Sequence, residues 1–141
     1  MTAQTVAAKL GGRPVLKHQI RSEMELAELV RAGLPVAALD YFVRWIAAGE
    51  LYPLVGSPRT LQRKRAAGGR LSPDESDRLA RVARLVSRAE EALGTSEKGL
   101  HWLRQDNRAL GGARPLDLLD SDAGALAVER VLGRVENGIF S

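Results

Sequence analysis

The sequence predicts an all-α protein with two helical parts, and three observations support this prediction. Apolar residues recur at helical spacing, as at Leu39, Phe42, Val43 and Ile46, which fall at i, i+3, i+4 and i+7. Residues that favour helix starts precede several such stretches, and glycines follow them. No stretch shows the signals of a half-buried strand. The predicted order is an N-terminal helix-turn-helix-like domain followed by a small C-terminal helical domain.

Composition narrows the class of protein. The chain has 141 residues, of which 45% are hydrophobic, so it is long enough for one core or two small subdomains. The absence of cysteine excludes disulfides and thiolate metal sites and agrees with a location in the reducing cytoplasm. No apolar run approaches the roughly 18 residues that span a membrane. We therefore expect no membrane association and, from the N-terminal residues, no signal peptide.

Positive charge is concentrated in one part of the chain. The net charge is +4, and residues 59–88 alone carry nine basic and three acidic residues, a net charge of +6. Such a block indicates a surface for a polyanion, and nucleic acid is the commonest one. The alternative is an arginine-rich helix face that is only solvated.

The first elements follow from local signals. Residues 1–21 are small, polar and basic, which predicts a flexible basic arm. Folded structure is predicted from Ser22, because Ser22 and Glu25 fit a capping box. The first helix of this domain should stop at Gly33, and the next should close at Gly49. The apolar positions of the first helix are Met24, Leu26, Leu29 and Val30.

A helix-turn-helix is predicted between Glu50 and Ala67. Ser57 caps its second helix and Pro58 takes the first helical position. Arginine and glutamine side chains on this helix can pair with guanine and adenine edges in the major groove. The candidate DNA-binding residues are Arg59, Thr60, Gln62, Arg63, Arg65 and Arg70. The alternative is an exposed basic helix that only packs through Leu61.

Pro53 complicates the first helix of this motif. Proline in a helix interior costs about 3 kcal/mol, because it removes a hydrogen bond and clashes with the preceding turn. We therefore expect this helix to be very short, or Pro53 to lie in its first turn.

A long helix is predicted from Ser72-Pro73 to about Leu93, with Glu75 completing a capping box. Gly94 then marks the predicted boundary between domains 22–93 and 94–141. One face of the long helix should be core, formed by Leu79, Val82, Val86 and Leu93. Arg81, Arg84 and Arg88 collect on the opposite face, which could meet phosphate, an acidic partner or solvent.

In the last domain, Trp102 and Leu103 are predicted to anchor the core, because aromatic side chains bury large areas. The final helix should start after Asp120-Ser121-Asp122, with Ser121 or Asp120 as its cap. It should run to about Asn137 and end at Gly138, since glycine adopts the left-handed conformation without strain. Its buried stripe is predicted to be Val128, Val131, Leu132 and Val135.

The opposite face of the final helix is unusual because helical spacing predicts that an aliphatic residue and a glycine are exposed to solvent there. It comprises Leu126, Arg130, Gly133 and Asn137. Glycine inside a helix costs about 1 kcal/mol relative to alanine, and Arg130 and Arg134 form a like-charge pair. An outside partner, such as one that brings acidic groups, would account for both features. The alternative is that Leu126 contacts the rest of the domain while the arginines are solvated.

No catalytic site is evident. With no cysteine and two separate histidines, His18 and His101, the usual nucleophile–base pairs lack a base. Phosphate-binding glycine motifs are also absent. We therefore expect a protein that is not an enzyme and that needs no cofactor or metal.

One family shares the residue pattern of the C-terminal region. The pattern comprises Trp102-Leu103-Arg104, Asn107, Leu110-Gly111-Gly112, Pro115 to Leu119, Gly124-Ala125, Val128-Glu129, Val131 to Arg134 and Glu136-Asn137-Gly138. In these residues the chain resembles the toxin-binding domain of the Xre/MbcA/ParS antitoxins. The resemblance extends more loosely upstream through residues 58–61 and 70–79, and only residues 1 to about 25 fall outside it.

The resemblance implies an antitoxin of a type II toxin–antitoxin pair. Its partner would be a RES-domain toxin that consumes NAD, and the C-terminal region would cover or enter the toxin's active-site cleft. The implied toxin-binding residues are Leu126, Arg130, Arg134, Glu136, Asn137, Gly138, Ile139, Phe140 and Ser141. The family also represses its own operon by binding operator DNA, as a homodimer or in larger complexes with the toxin.

Two other functions fit the same residues. The first is a stand-alone helix-turn-helix repressor whose C-terminal domain only dimerises. The second is an adaptor without a DNA role, in which the basic block binds an acidic protein. Salt dependence separates them in part, because phosphate binding weakens steeply as ionic strength rises.

Overall fold

The computed structural model describes residues 2–138, and the regular elements within this range are helical. The α-helices are α1 (Ala3–Lys9), α2 (Gly12–Leu16), α3 (Glu23–Ala32), α4 (Val36–Phe42), α5 (Ala48–Val55), α6 (Pro58–Ala67), α7 (Pro73–Leu93), α8 (Ser96–Arg104) and α9 (Asp122–Glu136). Two 3-10 helices, Arg108–Leu110 and Pro115–Asp120, lie between α8 and α9. These elements confirm the predicted all-α fold. None of the helices in residues 2–138 has the length and apolar character needed to cross a membrane.

The chain divides into two compact units, Met1–Ala83 and Arg84–Ser141. The division falls inside α7, whereas the predicted boundary was Gly94. Gly94 does end the helix, with φ of +98°. However, the last turns of α7 already pack with the C-terminal helices. At Gly99, an added Cβ would lie 2.8 Å from the backbone nitrogen of Glu90, so α8 crosses α7 in close contact.

The prediction of a flexible arm over residues 1–21 is wrong. Helices α1 and α2 form there, and Thr2 caps α1 by accepting a hydrogen bond from the Thr5 N–H. Their inward side chains are buried, namely Ala3, Val6, Ala7, Leu10, Leu16 and Ile20. The first four of these have the spacing i, i+3, i+4 and i+7 of an amphipathic helix. The small and basic residues between them hid this pattern.

The N-terminal unit is built around the packing of α3 to α7. Leu39, Phe42, Ile46, Leu51 and Leu61 are fully buried there. The turn between α3 and α4 is tied to the loop before α7 by backbone hydrogen bonds from Val36 N to Gly69 O, 2.9 Å, and from Leu71 N to Leu34 O, 2.8 Å. Met24 departs from the predicted apolar face, since it is 68% exposed.

Helix α5 is short, as expected, but Pro53 lies inside it rather than in its first turn. The side chain of Pro53 is exposed, while its neighbours Tyr52 and Leu54 are buried. The carbonyl that loses its helical donor is that of Gly49, one turn earlier, and Gly49 is also exposed. Because water can hydrate this carbonyl, the helix tolerates the proline.

The C-terminal unit packs α8, the two 3-10 helices and α9 with the end of α7. Its core includes Leu103, Leu116, Leu119, Val128 and Leu132. Of the two residues predicted to anchor it, Leu103 is 1% exposed, whereas Trp102 is only half-buried. Trp102 instead borders a groove of about 350 Å³ together with Leu93, Glu97, Lys98, His101 and Gln105.

Candidate DNA-binding and partner-binding surfaces

Helices α5 and α6 are joined by the short turn at Gly56 and Ser57. Ser57 begins α6 as predicted, because its hydroxyl accepts a hydrogen bond from the Thr60 N–H. Leu61 is fully buried and fixes α6 against the unit. The side of α6 that carries Arg59, Gln62 and Arg63 therefore faces solvent. This arrangement presents a basic helix in the way that a recognition helix is presented to the major groove.

Five of the six candidate DNA-binding residues fall into two groups, and Thr60 belongs to neither. Arg59, Gln62 and Arg63 are exposed, and their side chains have no hydrogen bond or ion pair within residues 2–138. Arg65 and Arg70 have intramolecular partners instead. Arg65 Nε lies 2.7 Å from Asp40 Oδ1, and an Arg70 amino group donates a 2.9 Å hydrogen bond to the Gly33 carbonyl. Thr60 is half-buried.

Lys64 and Glu75 form a link between α6 and α7 that sequence reasoning missed. Lys64 Nζ donates to Glu75 Oε1 at 2.6 Å, and the Ser72 N–H donates to the same oxygen at 2.8 Å. The Ser72 hydroxyl in turn accepts from the Glu75 N–H, which completes the predicted capping box. Together with the burial of Leu61, this link holds the basic helix in place. The capping box was readable from sequence, but the participation of Lys64 was not.

We expect the Glu75 link to make the N-terminal unit sensitive to acid. Burial raises the pKa of Glu75, but the hydrogen bonds from Lys64 and Ser72 together outweigh burial and lower the pKa below its ordinary value of 4.5. A carboxylate with a lowered pKa stabilises the folded state above pH 4.5, and this contribution is lost as pH falls through the folded-state pKa. Glu75→Gln should lower the free energy of unfolding by about 2 kcal/mol at pH 7.

Chemical denaturation of the two proteins between pH 3 and 7 is the measurement. The difference in stability between the original chain and Glu75→Gln should narrow on acidification. Asp74→Asn is the matched control, since Asp74 is an exposed acid in the same turn of α7. A stability difference between the original chain and Glu75→Gln that stays constant from pH 3 to 7 would contradict a stabilising role for the Glu75 carboxylate.

Helix α9 presents the unusual face that was predicted from sequence. Leu126 is 45% exposed. Arg130 and Arg134 are exposed and have no ion pair within the described part of the chain. A Cβ added at Gly133 would meet no atom within 4 Å, so packing within the unit does not require glycine there. On the other side, Ala125, Val128, Val131 and Leu132 are buried and Val135 is half-buried.

Glu136, one of the candidate toxin-binding residues, has a partner within its own unit. Its carboxylate accepts two hydrogen bonds of 2.9 Å from the Arg88 guanidinium, so the pair is bidentate. Arg88 is largely buried, with a side-chain exposure of 15%. Glu136 therefore holds the end of α9 against α7, and its role in toxin binding stays a prediction. The helix ends as predicted, with Asn137 as C-cap and Gly138 at φ of +78°.

Three of the candidate toxin-binding residues, Ile139, Phe140 and Ser141, lie outside the described residues. Their role stays a prediction.

The arginines of α7 are mostly committed to carboxylates. Arg81 pairs with Asp77 at 3.1 Å and is 13% exposed, and Arg88 pairs with Glu136. Arg84 is more loosely placed, 4.0 Å from Glu129. The interpretation of this face as a solvated or phosphate-binding surface is therefore wrong for Arg81 and Arg88, because buried guanidinium groups require such partners.

Comparison with known families divides the chain at nearly the same place as the structure. Residues 25–84 match the antitoxin Xre-like helix-turn-helix domain. Residues 88–138 match the antitoxin Xre/MbcA/ParS C-terminal toxin-binding domain.

Individual proteins are similar over most of the chain. Antitoxin Xre of Yersinia enterocolitica is 34% identical over 120 residues, which cover 82% of this chain and 81% of that protein. Antitoxin Xre of Photorhabdus laumondii is 32% identical with the same coverage. The Prs ADP-ribosylating antitoxin of a Sphingobium species is 35% identical over 91 residues, which cover 58% of this chain and 57% of that protein.

Proposed function

From the fact that this chain belongs to the Xre family of antitoxins, we propose that it neutralises a RES-domain toxin that consumes NAD. The C-terminal unit binds the toxin and occludes its active site. The single observation that carries this proposal is the exposed face of α9. That face combines an aliphatic side chain, two arginines without partners in residues 2–138, and a glycine that packing in the unit does not require.

Each of these features lowers the stability of the free unit. Leu126 is 45% exposed and so gives only part of the burial energy available to a leucine, and Gly133 costs about 1 kcal/mol relative to alanine. A partner surface that covers Leu126 would supply the missing burial energy. A partner would also explain the glycine at position 133, because glycine allows another backbone to approach α9 closely. Acidic groups on the partner would neutralise Arg130 and Arg134.

The residues that follow α9 are the ones that we propose to occlude the active site. Bidentate pairing with Arg88 holds Glu136, and therefore the end of α9, in place. A short apolar segment, Ile139 and Phe140, then follows a rigid helix in the sequence. In general, a segment joined to a fixed helix end has less conformational entropy to lose on entering a cleft than one joined to a mobile chain. The name of the Sphingobium relative also links an antitoxin to ADP-ribosylation, a reaction for which NAD is the usual donor.

The first test is co-expression of the full chain with the product of a neighbouring toxin gene. Leu126→Glu should abolish growth rescue and weaken co-purification by about 30-fold or more, because it places a charge in an apolar contact. Gln105→Glu is the control, since it adds the same charge at the exposed residue that caps the C-terminus of α8. Equal behaviour of the two variants would exclude the α9 face as the contact.

A chain that ends at Asn137 separates affinity from occlusion. If it binds the toxin but does not rescue growth, the α9 face supplies affinity and the final residues supply occlusion. If it neither binds nor rescues, the final residues are part of the binding surface itself. Failure of the full chain to bind any neighbouring gene product would contradict the proposal.

We further propose that the N-terminal unit represses the antitoxin's own operon through α6, as a homodimer or together with the toxin. Arg63→Ala should weaken operator binding by about tenfold or more, the cost of losing a base contact by an arginine. Arg65→Ala should cost less, because Arg65 must first leave Asp40. Fluorescence anisotropy with a promoter duplex at several salt concentrations measures both. A greater loss for Arg65→Ala than for Arg63→Ala would contradict this ordering.

A stand-alone repressor with a dimerising C-terminal domain is the alternative function. In that case Leu126→Glu would dissociate the dimer and weaken DNA binding without any effect on a toxin. Analytical ultracentrifugation of the same variant distinguishes the two functions.

A further inference from the structure

Arg44 lies outside the predicted DNA-binding set, and its side chain is held in one orientation. The central carbon of its guanidinium lies 3.6 Å from the centroid of the Tyr41 ring and 5.7 Å from that of Trp45. Its Nε donates a 3.0 Å hydrogen bond to the Tyr41 carbonyl. The Arg44 side chain is nevertheless exposed. Its two terminal amino groups meet no acceptor within residues 2–138, so they are available to an outside anion.

The segment that carries Arg44 is joined to the basic helix. Asp40, one turn earlier in α4, forms the 2.7 Å ion pair with Arg65 in the last turn of α6. Arg44 itself lies between α4 and α5, directly before the first helix of the helix-turn-helix. In complexes of this motif the first helix crosses the DNA backbone while the second enters the major groove. The Asp40–Arg65 pair thus places the turn that precedes Arg44 against the last turn of α6. A cation at Arg44 would flank a helix that enters the major groove, which is where backbone contacts of this motif are made.

The chemistry of Arg44 favours a phosphodiester group as its ligand. A guanidinium presents parallel N–H donors that match two phosphate oxygens. Stacking on Tyr41 orders the side chain in advance, so less rotamer entropy is lost when it binds. The nearby carboxylate of Asp40 is already engaged by Arg65, which leaves Arg44 without a competing acid in its own segment.

We propose that Arg44 is a DNA-backbone contact, oriented by Tyr41, that positions α6 without reading sequence. The inference rests on the proposed DNA binding. It identifies a contact outside α6, where sequence reasoning found none because Arg44 is isolated from the charged block at residues 59–88. Its signature is a loss of affinity that is the same for every duplex.

The test compares the full-length chain with Arg44→Ala, Arg44→Lys and the control Arg31→Ala on an operator duplex and on an unrelated duplex. Arg31 is an exposed arginine on α3, beside a groove that also includes Asp77 and Ala80. Anisotropy titrations at several salt concentrations give the affinity and its salt dependence. Arg44→Ala should weaken binding to both duplexes by a similar factor of about five to ten. It should also reduce the slope of log K against log salt by about 0.9, the value for one phosphate contact.

Arg44→Lys should retain the slope but lose part of the affinity, because an ammonium lacks the planar stack. An unchanged salt slope in Arg44→Ala relative to Arg31→Ala would overturn the inference. A loss of affinity confined to the operator duplex would also overturn it.

If Arg44→Ala leaves DNA affinity unchanged but weakens co-purification with the toxin, Arg44 contacts a protein partner and the inference fails. If the original chain binds no duplex, the proposed DNA binding fails as well. Circular dichroism checks that each variant is folded. If Arg44→Ala does not fold, the affinity and salt slope of Arg44→Lys are used to test the inference.

Discussion

Deletion of residues 1–21 is expected to unfold the N-terminal unit rather than to trim a tail. Helices α1 and α2 bury Val6, Leu10 and Leu16, and Ile20 follows them into the core. Burial of each large aliphatic side chain contributes about 1.5–3 kcal/mol. Removal of four such side chains also exposes their neighbours in α3 and α4. The loss is comparable to the total stability of a small domain, about 5–15 kcal/mol.

Thermal melting followed by circular dichroism measures this effect. The shortened chain should show a strongly lowered melting temperature, or no cooperative transition for the N-terminal unit. The control carries Arg13→Gln and Lys17→Gln, which remove exposed charges from the same segment while they keep its buried residues. Unchanged melting of the shortened chain would show that the segment is dispensable. Loss of DNA binding in the control alone would instead indicate a role for its charges.

Gly124→Ala and Gly133→Ala are expected to change stability in opposite directions, although both glycines lie in α9. At Gly124 a Cβ would overlap the carbonyl oxygen of Leu118, and the backbone cannot give way easily. The expected cost is about 3 kcal/mol or more, as for other overpacked sites. At Gly133 a Cβ would meet nothing within 4 Å, so alanine should stabilise the helix by about 1 kcal/mol.

Urea denaturation of the two variants provides the comparison, and equal slopes against urea would show that only stability has changed. Gly99→Ala is an independent check on the first effect, because its Cβ would lie 2.8 Å from the Glu90 nitrogen. A neutral Gly124→Ala variant would contradict the close approach of α9 to Leu118. If Gly133→Ala stabilises the free chain and also weakens toxin binding, the glycine serves the partner rather than the fold.

The best predictions from sequence concern helices with strong local signals. The bounds of α6 and α7, the cap at Ser57 and the end of α9 at Gly138 all follow from short motifs. The buried stripe of α9 follows from its helical spacing. The unusual α9 face was also visible in sequence, because helical spacing places Leu126 and Gly133 on the side of the helix opposite the buried stripe. By contrast, α1 and α2 were missed because glycine, proline and basic residues obscured a short apolar pattern.

The sequence by itself determined the helical class, most helix ends and the presence of a basic helix, since these depend on residues within a few positions of one another. Only the tertiary structure decided which charged side chains pair within the chain and which are left accessible to a partner. Arg65, Arg70 and Glu136 look free in sequence, yet each finds a partner far away along the chain, Glu136 in Arg88 at a separation of 48 residues. Arg44 looks unremarkable in sequence but is left accessible. The charge of a side chain follows from its residue type, whereas its ion-pair partner depends on which helices pack together.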